Sequence, residues 1–205
     1  MSKEVEIIKS NDILNHCVVN GIFTAQHYDI KKGLDSLNSY LNKNHIHIDT
    51  IIEIGTYRGG FTTLLNSHDI SINAQIHTFD IDNTIGQEKV CSQLDRVTFY
   101  CQDVFDNNTI ENLISSSINN VLVFCDGGNK IDEFNRYSYN LRVNDMILAH
   151  DYSFSNEIFN SNIRGKIWDY LECTYNDIKS SITSNNLKRL TYMENVVWAS
   201  YIKTK

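Results

Sequence analysis

The stretch that decides the fold is His47-Ile48-Asp49-Thr50-Ile51-Ile52-Glu53-Ile54-Gly55-Thr56-Tyr57-Arg58-Gly59-Gly60-Phe61-Thr62-Thr63-Leu64-Leu65. Its first part is rich in β-branched residues and ends at a glycine, which is the pattern of a strand buried in a parallel sheet. Gly55, Gly59 and Gly60 permit a tight turn and close approach of a ligand to the backbone. Phe61 to Leu65 then opens a helix. A strand, a glycine-bearing loop and a helix make the first half of a βαβ unit.

Downstream the same alternation continues. Strands are expected over Ala74–Ile81, Arg96–Cys101, Val121–Cys125 and Asp145–His150, and helices over Ile85–Leu94, Thr109–Ser116 and Ile131–Leu141. Short helices between strands specify right-handed crossovers and a parallel sheet with helices on both faces. Near the end, Leu187–Tyr192 and Val196–Ile202 flank Met193-Glu194-Asn195, short enough for an antiparallel hairpin. The expected fold is α/β, a Rossmann-like doubly wound sheet of five parallel strands plus that hairpin, seven strands in all. Residues 1–205 read as a single domain. It divides into an N-terminal helical cap over 1–46, a core over 47–151, a helical insert over 152–186 and a closing hairpin over 187–205. The cap rests on Ile30, Leu34, Leu37 and Leu41 at helical spacing, and the insert on a helix expected over Ile167–Ile182.

Composition limits the function. The chain has 205 residues, 41% hydrophobic and 21% charged, which excludes a disordered polar chain. It has no proline, so turns must fall to Gly, Asn, Asp and Ser. The net charge is −7, and Lys31-Lys32 and Lys188-Arg189 are the densest basic points, so nucleic acid is not an expected partner. No apolar run approaches the roughly 18 residues of a membrane span, and Met1 to Lys9 carries no signal-like segment. The five cysteines, at 17, 91, 101, 125 and 173, form no C-x-x-C and read as buried reduced thiols of a cytoplasmic protein.

In doubly wound sheets ligands bind at the carboxyl ends of the strands. A dinucleotide fingerprint G-x-G-x-x-G would need a glycine where Tyr57 stands, so the loop suits a nucleoside without phosphates. The second strand ends at Asp80, a carboxylate able to accept from both ribose hydroxyls. The third ends at Gln102-Asp103-Val104, where Asp103 can accept from an adenine amino group. The fourth ends Cys125-Asp126-Gly127-Gly128-Asn129-Lys130 and the fifth Ala149-His150-Asp151-Tyr152. Adjacent strand ends converge, which brings Asp126, His150 and Asp151 toward one cavity. Tyr152, Phe154, Phe159, Trp168, Tyr170 and Tyr175 follow and offer an aromatic wall.

With Glu53-x-Gly55-x-x-x-Gly59, Asp80 and Asp103 in place, the chain resembles the class I S-adenosylmethionine-dependent methyltransferases over roughly Ile48 to Lys203. The resemblance implies that the glycine loop passes the methionine part of the cofactor, the second-strand acid holds the ribose and the third-strand acid addresses adenine. Cofactor-binding positions are then Glu53, Gly55, Thr56, Tyr57, Arg58, Gly59, Asp80, Asp103, Val104 and Asp126; Arg58, beside the glycine loop, either pairs with the cofactor carboxylate or faces solvent. The reaction implied is in-line methyl transfer to a small-molecule acceptor, most simply at a hydroxyl oxygen.

The fourth and fifth strand ends look like those of metal-dependent small-molecule O-methyltransferases and cephalosporin-hydroxylase-like tailoring enzymes. That likeness implies a divalent metal such as Mg²⁺ on Asp126 and Asp151. Two departures weaken it: His150-Asp151 replaces a pair of carboxylates or a carboxylate and an amide, and Asn129 replaces a histidine. Imidazole favours softer metals. A metal-free reading is equally open, with His150 as general base, Asp151 orienting it or the substrate, Asp126 beside them and Lys130 as an electrostatic anchor. Three other readings compete: a cofactor-binding protein without turnover, a small-amine N-methyltransferase, and an NAD-dependent dehydrogenase, which Tyr57 disfavours. A homo-oligomer is compatible with the sequence.

Overall fold

The computed structural model describes residues 5–205. In chain order the strands and helices are β1 (Ile7–Lys9), β2 (His16–Val19), β3 (Ile22–His27), α1 (Ile30–Lys43), β4 (Ile48–Ile54), α2 (Gly60–Ser67), β5 (Gln75–Asp80), α3 (Gln87–Cys91), β6 (Val97–Cys101) and α4 (Thr109–Ser116). There follow β7 (Asn120–Cys125), α5 (Lys130–Ser138), β8 (Met146–Ala149), β9 (Tyr152–Ser153), α6 (Asn156–Ile158), β10 (Cys173–Thr174), α7 (Tyr175–Ser184), β11 (Leu187–Leu190) and β12 (Ala199–Lys203).

The seven-stranded sheet has the order β11-β12-β8-β7-β4-β5-β6. Strands β4 to β8 are parallel, and β12 runs antiparallel between β8 and β11. The chain travels outward from β4 to β6 and then returns to lay β7 on the other side of β4. The topological switch point therefore lies between β4 and β7, where a ligand crevice is expected. Alternate residues feed two cores. Ile51, Phe124 and Leu148 pack under α1 and α2, and Ile52, Val123 and Ile147 pack under α4, α5 and α7. The nearly continuous burial of β4, β7 and β8 follows from helices covering both faces.

The N-terminal segment departs from the expected helical cap over 1–46. Among the described residues of that segment only α1 is helical, and β1, β2 and β3 form a separate antiparallel sheet. Its cause is local. Asn20 and Gly21 take positive φ, 48° and 81°, between the paired residues Val19 and Ile22. Two positive-φ residues make the tight turn whose twist suits a hairpin, and Asn-Gly is its strongest short signal. This sheet rests on the first turn of α2. A Cβ on Gly60 would lie 2.8 Å from Thr24 Cβ and 3.2 Å from Ile22 O, so only glycine lets β3 approach so near.

Two further expectations change in the C-terminal part. The insert over 152–186 is helical only in α7 and the short turns over 156–163, because a capping box of Thr174 and Asp177 starts α7 well after Ile167. The closing strands are not joined by a tight turn at Met193. Residues 191–198 form a longer connection whose Met193, Val196 and Trp198 fill the core beside α1. Cys101 is exposed, whereas the other four cysteines are buried and free. Among the described residues no helix is long and apolar enough to cross a membrane.

Replacing Gly60 by leucine should lift the β2–β3 hairpin from α2 without unfolding the sheet. Hydrogen exchange is expected to quicken across residues 16–27 while β4 and β7 stay protected. Unchanged exchange in that hairpin would show that the close approach is not what holds it.

Candidate active site

Four backbone hydrogen bonds gather the strand ends. The Gly55 and Thr56 N–H groups donate to Phe79 O at 2.8 and 3.1 Å, Asp126 N–H to Ile54 O at 3.0 Å, and His150 N–H to Cys125 O at 3.1 Å. Gly55 has φ +94°, and a Cβ there would stand 2.3 Å from Asp126 O. No other residue could sit at that contact without moving the β7 end.

A cavity of about 500 Å³ opens between the ends of β4, β5, β6 and β7. Ile54, Phe79 and Val104 give it apolar surface, and Asp80, Asp103 and Asp126 supply carboxylates. Asp80 Oδ2 accepts from the Tyr57 N–H at 2.8 Å, which aims the carboxylate and leaves Oδ1 free of protein partners. Asp103 Oδ1 accepts from the Phe105 N–H at 2.8 Å. The Gly127 and Asn129 N–H groups both donate to Glu133, at 3.2 Å each, so one buried carboxylate holds the loop after β7 in shape. Burial pushes Glu133 up to about 7 against these stabilising hydrogen bonds.

Several residues expected at the cofactor do not line this cavity. Glu53 is fully buried, accepts from the Thr62 hydroxyl at 2.6 Å and ties β4 to α2. Burial raises it to about 8, and its Oε1 has no partner. The Thr56 side chain points inward to Thr78, with the hydroxyls 2.6 Å apart, although Thr56 borders the neighbouring cavity. Arg58 is exposed and lies over the Phe23 ring at 5.8 Å. Gly59, at φ +78°, caps α2 and approaches Val90. The loop turns away from the crevice after Tyr57, itself at φ 48°, which carries Arg58 and Gly59 out of reach.

A second cavity of about 350 Å³ adjoins the first, and Gly55, Tyr57 and Asp126 line both. Its wall is a stack of rings. His16 lies parallel to Phe23, with centroids 5.7 Å apart, and parallel to Trp168 at 4.2 Å. Trp168 and Tyr170 are the only members of the expected aromatic wall that reach it. Phe154 and Tyr175 stack on one another instead, and Tyr152 and Phe159 are core residues.

At the base of this cavity Asp126, His150, Asp151 and Lys130 come together as the strand ends suggest. His150 Nδ1 is 2.9 Å from Asp126 Oδ1. A carboxylate only accepts, so Nδ1 carries the proton and Nε2 holds the free lone pair. That Nε2 is buried and has no partner. Burial would lower the histidine, but the carboxylates of Asp126 and Asp151 outweigh it and hold His150 above its ordinary range. Asp126, not Asp151, orients the ring. Asp151 is 3.7 Å from Nδ1 and accepts from the Trp168 indole N–H at 2.5 Å. It resists protonation: its burial is outweighed by His150 and Lys130.

Gln26 and Glu172 complete the site, and the sequence reading passed over both. Gln26 takes the Trp198 indole N–H at 2.9 Å and donates to Asp126 Oδ2 at 2.6 Å, so a residue of β3 fixes the carboxylate that fixes His150. Glu172 receives the Lys130 ammonium at 2.7 Å. Neither belongs to a motif. The Asn20-Gly21 turn was the available sign that Gln26 lies on a strand. His45 and His47 are exposed and stay away from the site.

The cluster does not fit a divalent metal. Donor atoms of Asp126, His150 and Asp151 lie within 4.8 Å of one another. Yet both Asp126 oxygens are engaged by His150 and Gln26, and both Asp151 oxygens by Trp168 and Lys130. A cation is already built in, 3.2 Å from Asp151 and 3.7 Å from Asp126. The cavity at the ends of β4 to β7, by contrast, fits S-adenosylmethionine: a free, aimed Asp80 oxygen, apolar surface, and a cradle at Gly55 that a Cβ would fill.

Glu53 offers a check on this geometry. Its folded pKa is raised above the unfolded value near 4.5, so its ionisation opposes folding, and the penalty grows as pH climbs from about 4.5 toward about 8. Glu53→Gln should therefore raise the melting temperature at about pH 8, with the gain fading near pH 5. A variant less stable than the parent at both pH values would mean that Glu53 is ionised and paired.

No protein-family profile and no curated protein sequence matches the chain. Solved structures do. An apo structure of the N160 form of CmcI has a TM-score of 0.63 at 13% identity, covering 91% of this chain and 75% of that one. A CmcI structure with Mg and S-adenosylmethionine gives 0.59 at 13% identity, over 88% and 75% of the two chains. MtNAS in complex with S-adenosylmethionine gives 0.53 at 15% identity, over 87% and 64%. The chain has the fold of the class I S-adenosylmethionine-dependent methyltransferases.

Proposed function

We propose that the protein is an S-adenosylmethionine-dependent methyltransferase acting on the hydroxyl oxygen of a small, ring-bearing acceptor. One observation carries this reading. The cavity lined by Asp80 and Asp103 and the aromatic-walled cavity adjoin, and the carboxylate they share, Asp126, is hydrogen-bonded to a histidine with a free ring nitrogen. Similar structures solved with S-adenosylmethionine support the choice of cofactor.

When bound, S-adenosylmethionine supplies a methyl group already activated on sulfonium sulfur. Asp80 and Asp103 would hold its ribose and adenine, and the bare Gly55 backbone would let its methionine end pass toward Asp126. The protein's part is then orientation and proton removal. Phe23, His16, Trp168 and Tyr170 line the acceptor cavity with ring surface that suits an aromatic acceptor. His150 takes the hydroxyl proton at Nε2 once acceptor binding uncovers that buried nitrogen, and Asp126 stabilises the imidazolium that results. Gln26 keeps Asp126 turned toward His150, so the hairpin that roofs the acceptor cavity also tunes the base. A general base must start neutral, and the surrounding carboxylates hold the His150 pKa high. Turnover should therefore rise with pH through an apparent pKa above that of an ordinary histidine.

Calorimetry and methyl-transfer assays test the assignment. Asp80→Ala should weaken S-adenosylmethionine binding by about 1–3 kcal/mol through loss of charge-assisted hydrogen bonds. His150→Ala should keep cofactor affinity and lose turnover on hydroxylated aromatic acceptors. Asp126→Asn should lower both turnover and its apparent pKa, because the neutral amide no longer favours the imidazolium. No binding of S-adenosylmethionine at millimolar concentration would contradict the cofactor assignment. Methylation confined to amines in a mixed panel would contradict the oxygen acceptor.

A further inference from the structure

We propose that the ammonium of Lys130 is the resident cation of this carboxylate cluster, and that the site works without a divalent metal. The inference rests on the methyltransferase reading only for its catalytic consequence, because the cation assignment itself is geometric.

An ammonium has three N–H groups and no lone pair. Those of Lys130 face Gly127 O at 3.1 Å, Asp151 Oδ2 at 3.2 Å and Glu172 Oε2 at 2.7 Å, with Asp126 Oδ1 3.7 Å away as a fourth oxygen. A backbone carbonyl and three carboxylates around one point form the all-oxygen surround that hard cations prefer. Here that point is the Lys130 nitrogen, and the residue is 6% exposed. Three carboxylates gathered at a half-sealed pocket floor would repel one another without a counter-charge. Burial alone would neutralise the lysine, but Asp126, Asp151 and Glu172 outweigh it and keep the amine charged. The stem enters from the first turn of α5, directly after the loop that Glu133 holds, so the charge is delivered covalently and cannot be removed by a chelator.

The electrostatic anchoring expected of Lys130 acts on the carboxylates around it. With three oxygens already facing its N–H groups, it is a positioning residue, not a donor to the acceptor. Its charge keeps Asp151 ionised, holds Glu172 in place, and leaves proton transfer to His150.

Lys130→Met is the informative variant, since methionine keeps most of the stem and omits the ammonium. Manganese(II) is the probe, and the readout is paramagnetic broadening of the Trp168 indole N–H signal, which arises beside Asp151. The protein contains two tryptophans, so the signal is assignable with a single Trp168→Phe control. In the parent protein this resonance should stay sharp at millimolar manganese. In Lys130→Met it should broaden at a manganese concentration lower by roughly tenfold or more, because an oxygen-lined cation position has been vacated. Broadening in the parent at the same concentration as in the variant would overturn the proposal, as would a folded Lys130→Met protein whose signal stays sharp. Should that variant fail to fold, the parent titration decides alone: broadening refutes the resident cation and a sharp signal supports it. None of these outcomes requires methyl transfer, so a failure of the functional reading would be seen separately in the acceptor assays.

Discussion

The carboxyl edge of the sheet depends on one close approach. Gly55 and the Asp126 backbone lie nearer than any side chain would allow, since a Cβ on Gly55 would be 2.3 Å from Asp126 O. That contact sits at the switch point between β4 and β7, where helices leave a crevice open. Because the two strand ends touch, the cavity on the nucleoside side and the cavity on the aromatic side share a border. Asp126 stands on that border and takes hydrogen bonds from His150 and Gln26. A larger residue at Gly55 would displace the β7 end and with it the border of both cavities.

From Asp126 the influence spreads by charge. Its carboxylate sets the His150 tautomer and favours the imidazolium, while Lys130 stabilises Asp151 and Glu172 from the far side. A cluster this buried is tolerable only when each charge has a partner. The same closeness that makes the groups useful gives every Asp126 and Asp151 oxygen a protein partner, so an arrangement that resembles a metal site is already filled by hydrogen-bond donors and an ammonium. The N-terminal hairpin belongs to this network. Gln26 links Trp198 of the core connection to Asp126, so packing behind the sheet reaches the base through a single side chain.

Much of this was legible in the sequence because it follows backbone periodicity. Val121 to Cys125 can only be a buried strand, and the last residues of successive parallel strands must share one edge, which is how Asp80, Asp103, Asp126, His150 and Asp151 are found. Side-chain direction was less legible. Glu53 looks like a ligand residue by position, yet period two in β4 turns it into the core beside Thr62. Arg58 and Gly59 follow Tyr57, whose left-handed backbone swings the loop outward, and no spacing rule announces that. Gln26 and Glu172 reach the site from a meander and an irregular segment, where long-range packing alone decides placement. The hairpin itself was marked by Asn20-Gly21, a turn signal outweighed by the helical spacing that follows it.

The most direct measurement is a crystal structure of the protein with S-adenosylhomocysteine. In the expected arrangement the ribose lies on Asp80, the adenine beside Asp103 and the sulfur at the border formed by Gly55, Tyr57 and Asp126, facing the cavity that His150 lines. A ligand seated instead among His16, Phe23 and Trp168, or with its sulfur turned away from Asp126, would contradict it.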